Sequence, residues 1–176
     1  MIILLEGPDK CGKSTLAKNL SSLLDMPVKK HSETGSAYEA VGRAVEVLDS
    51  YNGKNEIWDR FYYPSDLIYG KIAGGYEISK ALRGFYQSWV KGRLDFYDTV
   101  VVYCYAPIEK MITRLNAEPD HYVNEQQLRE VKDEYDEMLL SASFSLPVIR
   151  LNSDLLNEEE MVIEFYNQLL KIQGVL

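Results

Sequence analysis

Short continuous runs of apolar residues alternate along the chain with longer segments in which apolar residues recur every three or four positions. A short unbroken apolar run is typical of a strand that is buried on both faces of a sheet. The run DTVVVYCYA is the strongest of these signals. The runs that we predict to be strands are residues 1–6, 26–30, 55–59, 98–106 and 146–151.

The segments between these runs have the apolar spacing of amphipathic helices. The residues expected on the buried faces of the first two helices are Leu16, Leu20, Leu23, Leu24, Tyr38, Val41, Val45 and Leu48. A proline in the first turn favours a helix from Pro107, and Asn124 is suited to cap the one after it. The predicted helices cover residues 13–25, 36–51, most of 64–95, 107–115, 124–139 and 157–172.

Strands that alternate with helices and are rich in Val, Ile and Leu predict an α/β fold with a parallel sheet covered on both faces. No linker-like segment or internal repeat divides the 176 residues, so we predict a single domain over residues 1–176. Parallel sheets of this kind bind ligands at the carboxyl ends of their strands. The end of the first strand is therefore the place to look for chemistry.

Composition narrows the classes of partner. The formal net charge of −8 argues against nucleic acid as a partner bound on a broad basic surface. No apolar run approaches the roughly 20 residues of a membrane span, and the first residues lack the features of a signal peptide. Two cysteines, Cys11 and Cys104, are expected to be free thiols in a reducing compartment. These features favour a cytoplasmic protein without a membrane partner.

The first strand runs directly into EGPDKCGKST, which satisfies G-x-x-x-x-G-K-[ST] with Gly7, Gly12, Lys13 and Ser14. Glycines let successive backbone N–H groups turn towards an anion at a helix N-terminus. The Lys13 ammonium would bridge the β- and γ-phosphates of ATP, and the Ser14 hydroxyl would bind Mg²⁺. The residues expected to hold the ATP phosphates here are Gly7, Asp9, Lys10, Cys11, Gly12, Lys13, Ser14 and Thr15.

This motif predicts a P-loop NTPase with a three-layer α/β/α fold and a five-stranded parallel sheet. The motif alone does not separate kinases from GTPases or other ATPases. The chain has no Asn-Lys-x-Asp segment for reading guanine, and the run 98–106 does not end in a carboxylate. These features favour a kinase that acts on a small molecule.

A second constellation lies at the end of the third predicted strand. Asp59 could hold the water shell of Mg²⁺ or orient an acceptor oxygen, and Arg60 offers a planar fork for a phosphate. A surface Asp-Arg pair at a strand end is the alternative. Because both residues fall on the same sheet edge as the phosphate loop, the functional interpretation is favoured.

With DRFYYPSDLIYG after strand 3, the chain resembles the thymidylate kinase and deoxynucleoside kinase group of P-loop enzymes. The resemblance implies that Asp9 approaches the acceptor sugar and that Lys10 replaces a loop arginine at the transferred phosphoryl group. It implies that Arg60, and Arg43 on the preceding helix, bind the acceptor phosphate. Lys10 and Phe61 depart from the usual Arg and Tyr or Ser of that group.

The resemblance also implies a lid, placed here at residues 114–124, with Arg114 at its entrance reaching the ATP phosphates. Closure of such a lid keeps water away from the donor. Tyr69 and Gln87 are candidates for contact with the acceptor base, although aromatic residues at helical spacing are more often core. Enzymes of this group are often dimers, so a homodimer is possible.

We therefore expect an enzyme that transfers a phosphoryl group from Mg²⁺-ATP to a (deoxy)nucleoside monophosphate, as a dTMP kinase does. Lys13, Lys10, Asp59 and Arg60 would carry catalysis, and Ser14 and Asp59 would hold the metal. A deoxynucleoside kinase is the nearest rival, in which Glu33 would accept the proton of a sugar hydroxyl. A kinase for a modified nucleotide or a nucleic-acid end would also fit the phosphate loop, and so would a nucleotide-binding module without turnover.

Overall fold

The structure is a computed structural model, and it describes residues 1–31, 36–74, 79–119, 122–141 and 144–175. The strands are β1 (Ile2–Glu6), β2 (Val28–Lys30), β3 (Glu56–Asp59), β4 (Thr99–Tyr105) and β5 (Val148–Asn152). The helices are α1 (Lys13–Leu24), α2 (Ala37–Ser50), α3 (Tyr62–Ile72), α4 (Lys80–Phe85), a π-helical turn (Tyr86–Val90), α5 (Lys91–Phe96), α6 (Ile108–Ala117), α7 (Glu125–Leu139) and α8 (Glu158–Ile172). The five predicted strands are all confirmed.

The strands form one parallel sheet in the order β2-β3-β1-β4-β5. Leu5 of β1 pairs with Asp59 of β3, which in turn pairs with Lys30 of β2, so these three strands end side by side. The order reverses at β1, because the chain moves to one side for β2 and β3 and to the other for β4 and β5. Such a switch point opens a crevice at the carboxyl ends of the strands.

Both faces of the sheet are buried, which explains the continuous apolar runs. Ile3 and Leu5 of β1 pack into one core with α1, α6 and α8, whereas Ile2 and Leu4 pack into a second core with α2, α3 and α5. Helix α7 contributes to both cores. The result is the predicted three-layer α/β/α architecture.

The predicted buried faces of the first two helices need correction. Leu23 of α1 is 53% exposed and Tyr38 of α2 is 78% exposed. The buried residues of α2 are instead three alanines and one leucine, namely Ala37, Ala40, Ala44 and Leu48. Large rings fill the second core from β3 and α3, so only a helix face of small side chains can approach them closely.

The helix starts follow the predicted capping chemistry. Asn124 caps α7 in a reciprocal capping box with Gln127, and Asn157 forms the same arrangement with Glu160 at the start of α8. Helix α6 continues to Ala117, so the segment predicted as a lid, 114–124, begins on this helix. Residues 120 and 121 lie outside the described residues, and the role of the segment as a lid stays a prediction. Among the described residues, no helix combines the length and apolar character needed to cross a bilayer.

Candidate active site

The phosphate loop connects β1 to α1 through backbone conformations that few side chains tolerate. Gly7 has φ +138° and Gly12 has φ +92°, and Lys10 also has a positive φ of 61°. A Cβ atom on Gly7 would lie 2.1 Å from the carbonyl oxygen of Cys104, so the loop packs directly against β4. No side chain caps the N-terminus of α1 at Gly12, which leaves the first backbone N–H groups of the helix for an anion.

Lys13 points into this loop, although it is a charged residue on the first turn of a helix. Its side chain is largely buried, and the ammonium donates to the carbonyl oxygens of Gly7, at 2.8 Å, and Pro8. The ammonium is also 3.5 Å from the sulfur of Cys11. The cation is therefore held where the loop's own N–H groups would gather a phosphate.

A cleft of about 800 Å³ opens in front of the loop at the carboxyl edge of the sheet. It brings together residues from opposite ends of the chain, since Ser153 and Asn157 lie on its wall beside the phosphate loop. The sequence-predicted site residues that line it are Asp9, Lys10, Gly12, Lys13, Ser14, Thr15, Asp59, Arg60 and Arg114.

Arg60 is held at the cleft by Asp9 and Tyr69. Its guanidinium donates to one carboxylate oxygen of Asp9, and the Tyr69 hydroxyl donates to the other at 2.8 Å. The guanidinium carbon lies 4.5 Å from the centre of the Tyr69 ring, within cation–π range. Burial raises the pKa of Asp9, but the charges of Arg60 and Lys13 outweigh this and leave that pKa below its usual range. Asp9 is thus a carboxylate that fixes Arg60 in place.

Glu6, the last residue of β1, organises the layer beneath this cluster. Its carboxylate is fully buried and accepts hydrogen bonds from the Phe61 backbone N–H at 3.0 Å, the Ser65 hydroxyl at 2.7 Å and the Tyr135 hydroxyl at 2.8 Å. Burial raises the pKa of Glu6 above its usual value, more than these hydrogen bonds lower it. Glu6 therefore joins β1 to α3 and α7 directly behind Arg60.

Lys10 and Arg114 lie together at the lid side of the cleft. The Lys10 ammonium is 3.2 Å from a carboxylate oxygen of Glu118, just beyond α6. Arg114 donates to the Lys10 carbonyl at 2.9 Å and to the Ser153 hydroxyl at 3.3 Å. Arg114, predicted at the lid entrance, thus contacts the phosphate loop, and Lys10 of that loop contacts the residue that follows α6.

Ser14 and Asp59 present oxygen atoms to the same cleft, which is the donor chemistry that Mg²⁺ prefers. Asp59 is 3.7 Å from the ammonium of Lys30 and is largely shielded from solvent. Within the described ranges, no group of three or more His, Cys, Asp or Glu residues could enclose a metal ion by itself. The hydroxyl of Ser14 and the carboxylate of Asp59 fit Mg²⁺ by their donor chemistry.

Comparison with known proteins identifies the family. The chain is 33% identical to the SPbeta prophage-derived uncharacterized protein YorR of Bacillus subtilis (strain 168) over 148 residues, which cover 80% of this chain and 83% of YorR. The chain belongs to the YorR family. No family model matches it.

The solved structures similar to this member of the YorR family share its whole fold. The crystal structure of YorR from Bacillus subtilis, in complex with phosphorylated GDP, has a TM-score of 0.75. This structural alignment is longer than the sequence alignment, since it covers 100% of this chain and 99% of YorR, and the identity over it is 24%. Deoxyadenosine kinase from M. mycoides with bound dATP has a TM-score of 0.71 at 17% identity (96% and 99% covered). Thymidylate kinase from Candida albicans has a TM-score of 0.62 at 14% identity (98% and 92% covered). The fold is that of the P-loop nucleoside and nucleotide kinases.

Not every predicted acceptor residue reaches the cleft. Arg43 pairs with Glu39 at 2.6 Å on α2 and hydrogen-bonds with Tyr62, and it is absent from the described wall of the cleft. Gln87 lies on the π-helical turn and lines a separate surface pocket with Arg83. Glu33 lies outside the described residues. The roles given to these three residues stay predictions.

The two cysteines are free and buried, as predicted for thiols. Cys104 of β4 donates to the carbonyl oxygen of Cys11 at 2.9 Å, which anchors the phosphate loop to the sheet. Burial opposes ionisation of the Cys11 thiol, but a side-chain hydrogen bond with Cys104 and the charge of Lys13 hold the pKa of this thiol below its usual range. Because its side chain is fully buried, Cys11 can reach a phosphate only through its backbone.

Sequence reasoning missed Glu6 and His31. Glu6 was counted as part of an apolar run, although a lone carboxylate at the end of a buried strand indicates a group with hydrogen-bond or ionic partners. His31 follows β2 directly and lines the cleft beside Lys30 and Asp59. Because Lys30 pairs with Asp59, His31 after β2 is in a position equivalent to that of Arg60 after β3, and this sheet-edge rule could have found it.

Proposed function

We propose that the protein is a kinase that transfers the γ-phosphoryl group of ATP to a nucleoside monophosphate, as a thymidylate kinase does. The single observation that carries this proposal is the placement of Lys13 and Arg60 on the walls of one cleft, after adjacent strands β1 and β3. Two fixed cations beside each other are suited to hold the donor γ-phosphate and the acceptor phosphate next to each other, so that the acceptor oxygen can attack in line with the leaving oxygen. Positioning and charge neutralisation supply most of the rate in phosphoryl transfer.

The donor would lie over the phosphate loop. The backbone from Gly7 to Thr15 would surround its phosphates, Lys13 and Lys10 would neutralise the transferred group, and Arg114 would approach from the lid side. Lys10 must leave Glu118 to do so, and an exposed pair of this kind contributes only about 0–1 kcal/mol. Ser14, and Asp59 through water, would hold the Mg²⁺ that accompanies ATP and offsets charge on its β- and γ-phosphates.

The acceptor would lie on the β3 side. Arg60 has further N–H donors besides the one bonded to Asp9. A guanidinium whose plane is already fixed is suited to bind a phosphate through two of them. Asp9 would reach the acceptor sugar through its remaining lone pairs, and Tyr69 would act by holding Asp9 and Arg60. A fixed cation at this place favours an acceptor that is already anionic, hence a monophosphate.

A deoxynucleoside kinase is the second candidate. It is supported by the similarity in fold to deoxyadenosine kinase from M. mycoides, which stands beside the similarity to thymidylate kinase. In that reaction Glu33 would accept the proton of the 5′-hydroxyl, a task that a phosphate acceptor does not require. The two candidates differ in which residue is needed for turnover.

The decisive test is ADP release from Mg²⁺-ATP with a panel of acceptors. The panel holds deoxynucleoside and ribonucleoside monophosphates, including guanine nucleotides because YorR was crystallised with phosphorylated GDP, and the free deoxynucleosides. We expect turnover with a monophosphate. This turnover should be lost in Lys13→Ala and in Arg60→Ala, and it should be kept in the surface control Arg129→Ala. Turnover with free nucleosides alone, lost in Glu33→Gln, would replace the proposal by the deoxynucleoside kinase.

A further inference from the structure

Ser153 lies on the cleft wall beside the phosphate loop, although it follows the last strand of the sheet, β5. Its backbone N–H donates to the carbonyl oxygen of Tyr105, the last residue of β4, at 2.9 Å. This bond fixes the turn after β5 against the neighbouring strand. The Ser153 side chain therefore has a defined position on the wall.

The Ser153 side chain approaches the phosphate loop at Gly12. A Cβ atom on Gly12 would lie 3.2 Å from the Cβ atom of Ser153 and 3.4 Å from its hydroxyl oxygen. Gly12 directly precedes α1, and no side chain caps that helix. An anion received by the first N–H groups of α1 would therefore lie near the Ser153 hydroxyl.

The Ser153 hydroxyl has a hydrogen bond left to donate. A serine hydroxyl can donate one hydrogen bond and accept two. The Ser153 oxygen accepts an N–H from Arg114 at 3.3 Å, so its own hydrogen must point away from Arg114. In the described ranges of the chain, no acceptor bonds to that hydrogen. A donor is therefore available at the cleft wall.

Arg114 makes this hydroxyl a stronger donor. Hydrogen bonds in a chain polarise one another, and a hydroxyl that accepts from a cation gives up its own hydrogen more readily to an acceptor. The same guanidinium donates to the Lys10 carbonyl at 2.9 Å, which fixes the positive charge at the edge of the loop. This arrangement is suited to an anionic acceptor.

We propose that Ser153 binds the donor nucleotide by donating a hydrogen bond from its hydroxyl to the phosphate chain. The inference rests on one part of the proposed function, namely that the donor phosphates lie over the phosphate loop. It adds a binding residue from the carboxyl end of β5 to a site that the sequence motif places after β1.

The test measures the affinity of two probes by titration calorimetry. One probe is a non-hydrolysable ATP analogue with Mg²⁺, and the other is Mg²⁺-tripolyphosphate, which is a phosphate chain alone. Ser153→Ala keeps the Cβ atom beside Gly12 and should weaken both probes about tenfold, the worth of one hydrogen bond to a charged group. Ser88→Ala removes a hydroxyl that bonds within its own helical segment, to the Gly84 carbonyl, and should leave both affinities unchanged.

An Arg114→Ala background separates direct binding from an effect through Arg114. If the Ser153 hydroxyl contacts a phosphate, Ser153→Ala should weaken both probes in this background as well, although by less because the polarising charge is gone. No further loss in this background would show that Ser153 only positions Arg114, and it would overturn the inference.

The two probes also separate the parts of the nucleotide. A loss confined to the ATP analogue would place Ser153 at the ribose or the base, and this too would overturn the inference. If both probes depend on Ser153 but no acceptor is turned over, the proposed function fails and the inference stands. If the wild type binds neither probe, both proposals are overturned.

Discussion

At the scale of single residues, the site depends on contacts that leave almost no room for change. Gly7 packs against the β4 backbone, and the Glu6 carboxylate accepts three hydrogen bonds. Arg60 is fixed by its bond to Asp9 and by the ring of Tyr69. Arg60 has φ +66°, a conformation that is uncommon for a side chain of this size. Glu6 binds the N–H of the next residue and so stabilises this turn.

Gly7→Ala should abolish ATP binding. The new methyl group would meet the Cys104 carbonyl oxygen at 2.1 Å, in a backbone conformation that alanine avoids, so the loop must move. We expect a loss of at least about 2 kcal/mol in the free energy of unfolding, from strain alone. Gly42→Ala is the matched control, because nothing lies within 4 Å of the added atom in α2, and it should gain about 0.5–1 kcal/mol. Urea unfolding and titration with an ATP analogue measure both effects, and wild-type affinity in Gly7→Ala would contradict the loop geometry.

Glu6→Gln should change how stability depends on pH. Because the folded-state pKa of Glu6 lies above its ordinary value of 4.5, its contribution is fully present below that value and is lost as pH rises through the folded pKa. The amide cannot ionise, so the wild type should lose stability relative to Glu6→Gln by about 1.4 kcal/mol for each pKa unit of the rise.

Urea unfolding at a series of pH values from 4 to 8 measures this difference. Glu130→Gln removes one negative charge from the exposed face of α7 and should give a profile parallel to that of the wild type. Parallel profiles for the wild type and Glu6→Gln would show that the pKa of Glu6 is not raised by burial.

At the scale of elements, strands and helix starts were predictable, whereas the contacts between elements were not. A strand buried on both faces has a continuous apolar sequence, and the Asn124 cap follows from local geometry. The exposure of Tyr38 depends on the rings that face α2, and these come from distant segments. The bond between Arg60 and Asp9 spans 51 positions, so only the shared sheet edge, not the partner, could be predicted.

The two capping boxes provide a test at this scale. Asn124→Ala and Asn157→Ala each remove one reciprocal cap, and each should lower the free energy of unfolding by about 1 kcal/mol. Asn157 also lines the cleft, whereas Asn124 lies at the start of α7 and is not among its lining residues in the described ranges. We therefore expect the KM for ATP to rise in Asn157→Ala and to stay unchanged in Asn124→Ala, and the reverse pattern would place the donor elsewhere.

At the scale of the whole molecule, an acidic protein surrounds a cleft that is close to neutral. The cationic side chains on the described cleft wall are Lys10, Lys13, Lys30, Arg60 and Arg114. The acidic ones are Asp9, Asp59, Glu118 and Glu158. Against a net charge of −8 for the chain, the cleft is therefore the place where a polyanion meets least repulsion.

Binding of each substrate should stabilise the whole domain separately. A non-hydrolysable ATP analogue with Mg²⁺ at 100 times its Kd adds about 2.7 kcal/mol, and this raises the Tm of a chain of this size by roughly 5–10 °C. Chelation of Mg²⁺ should remove much of this shift, since Ser14 and Asp59 would then face the phosphates without the ion. Arg60→Gln should keep the shift from the ATP analogue but lose the shift from a nucleoside monophosphate. Lys13→Ala should show the opposite pattern, whereas loss of both shifts in Arg60→Gln alone would mean that donor and acceptor do not occupy separate halves of the cleft.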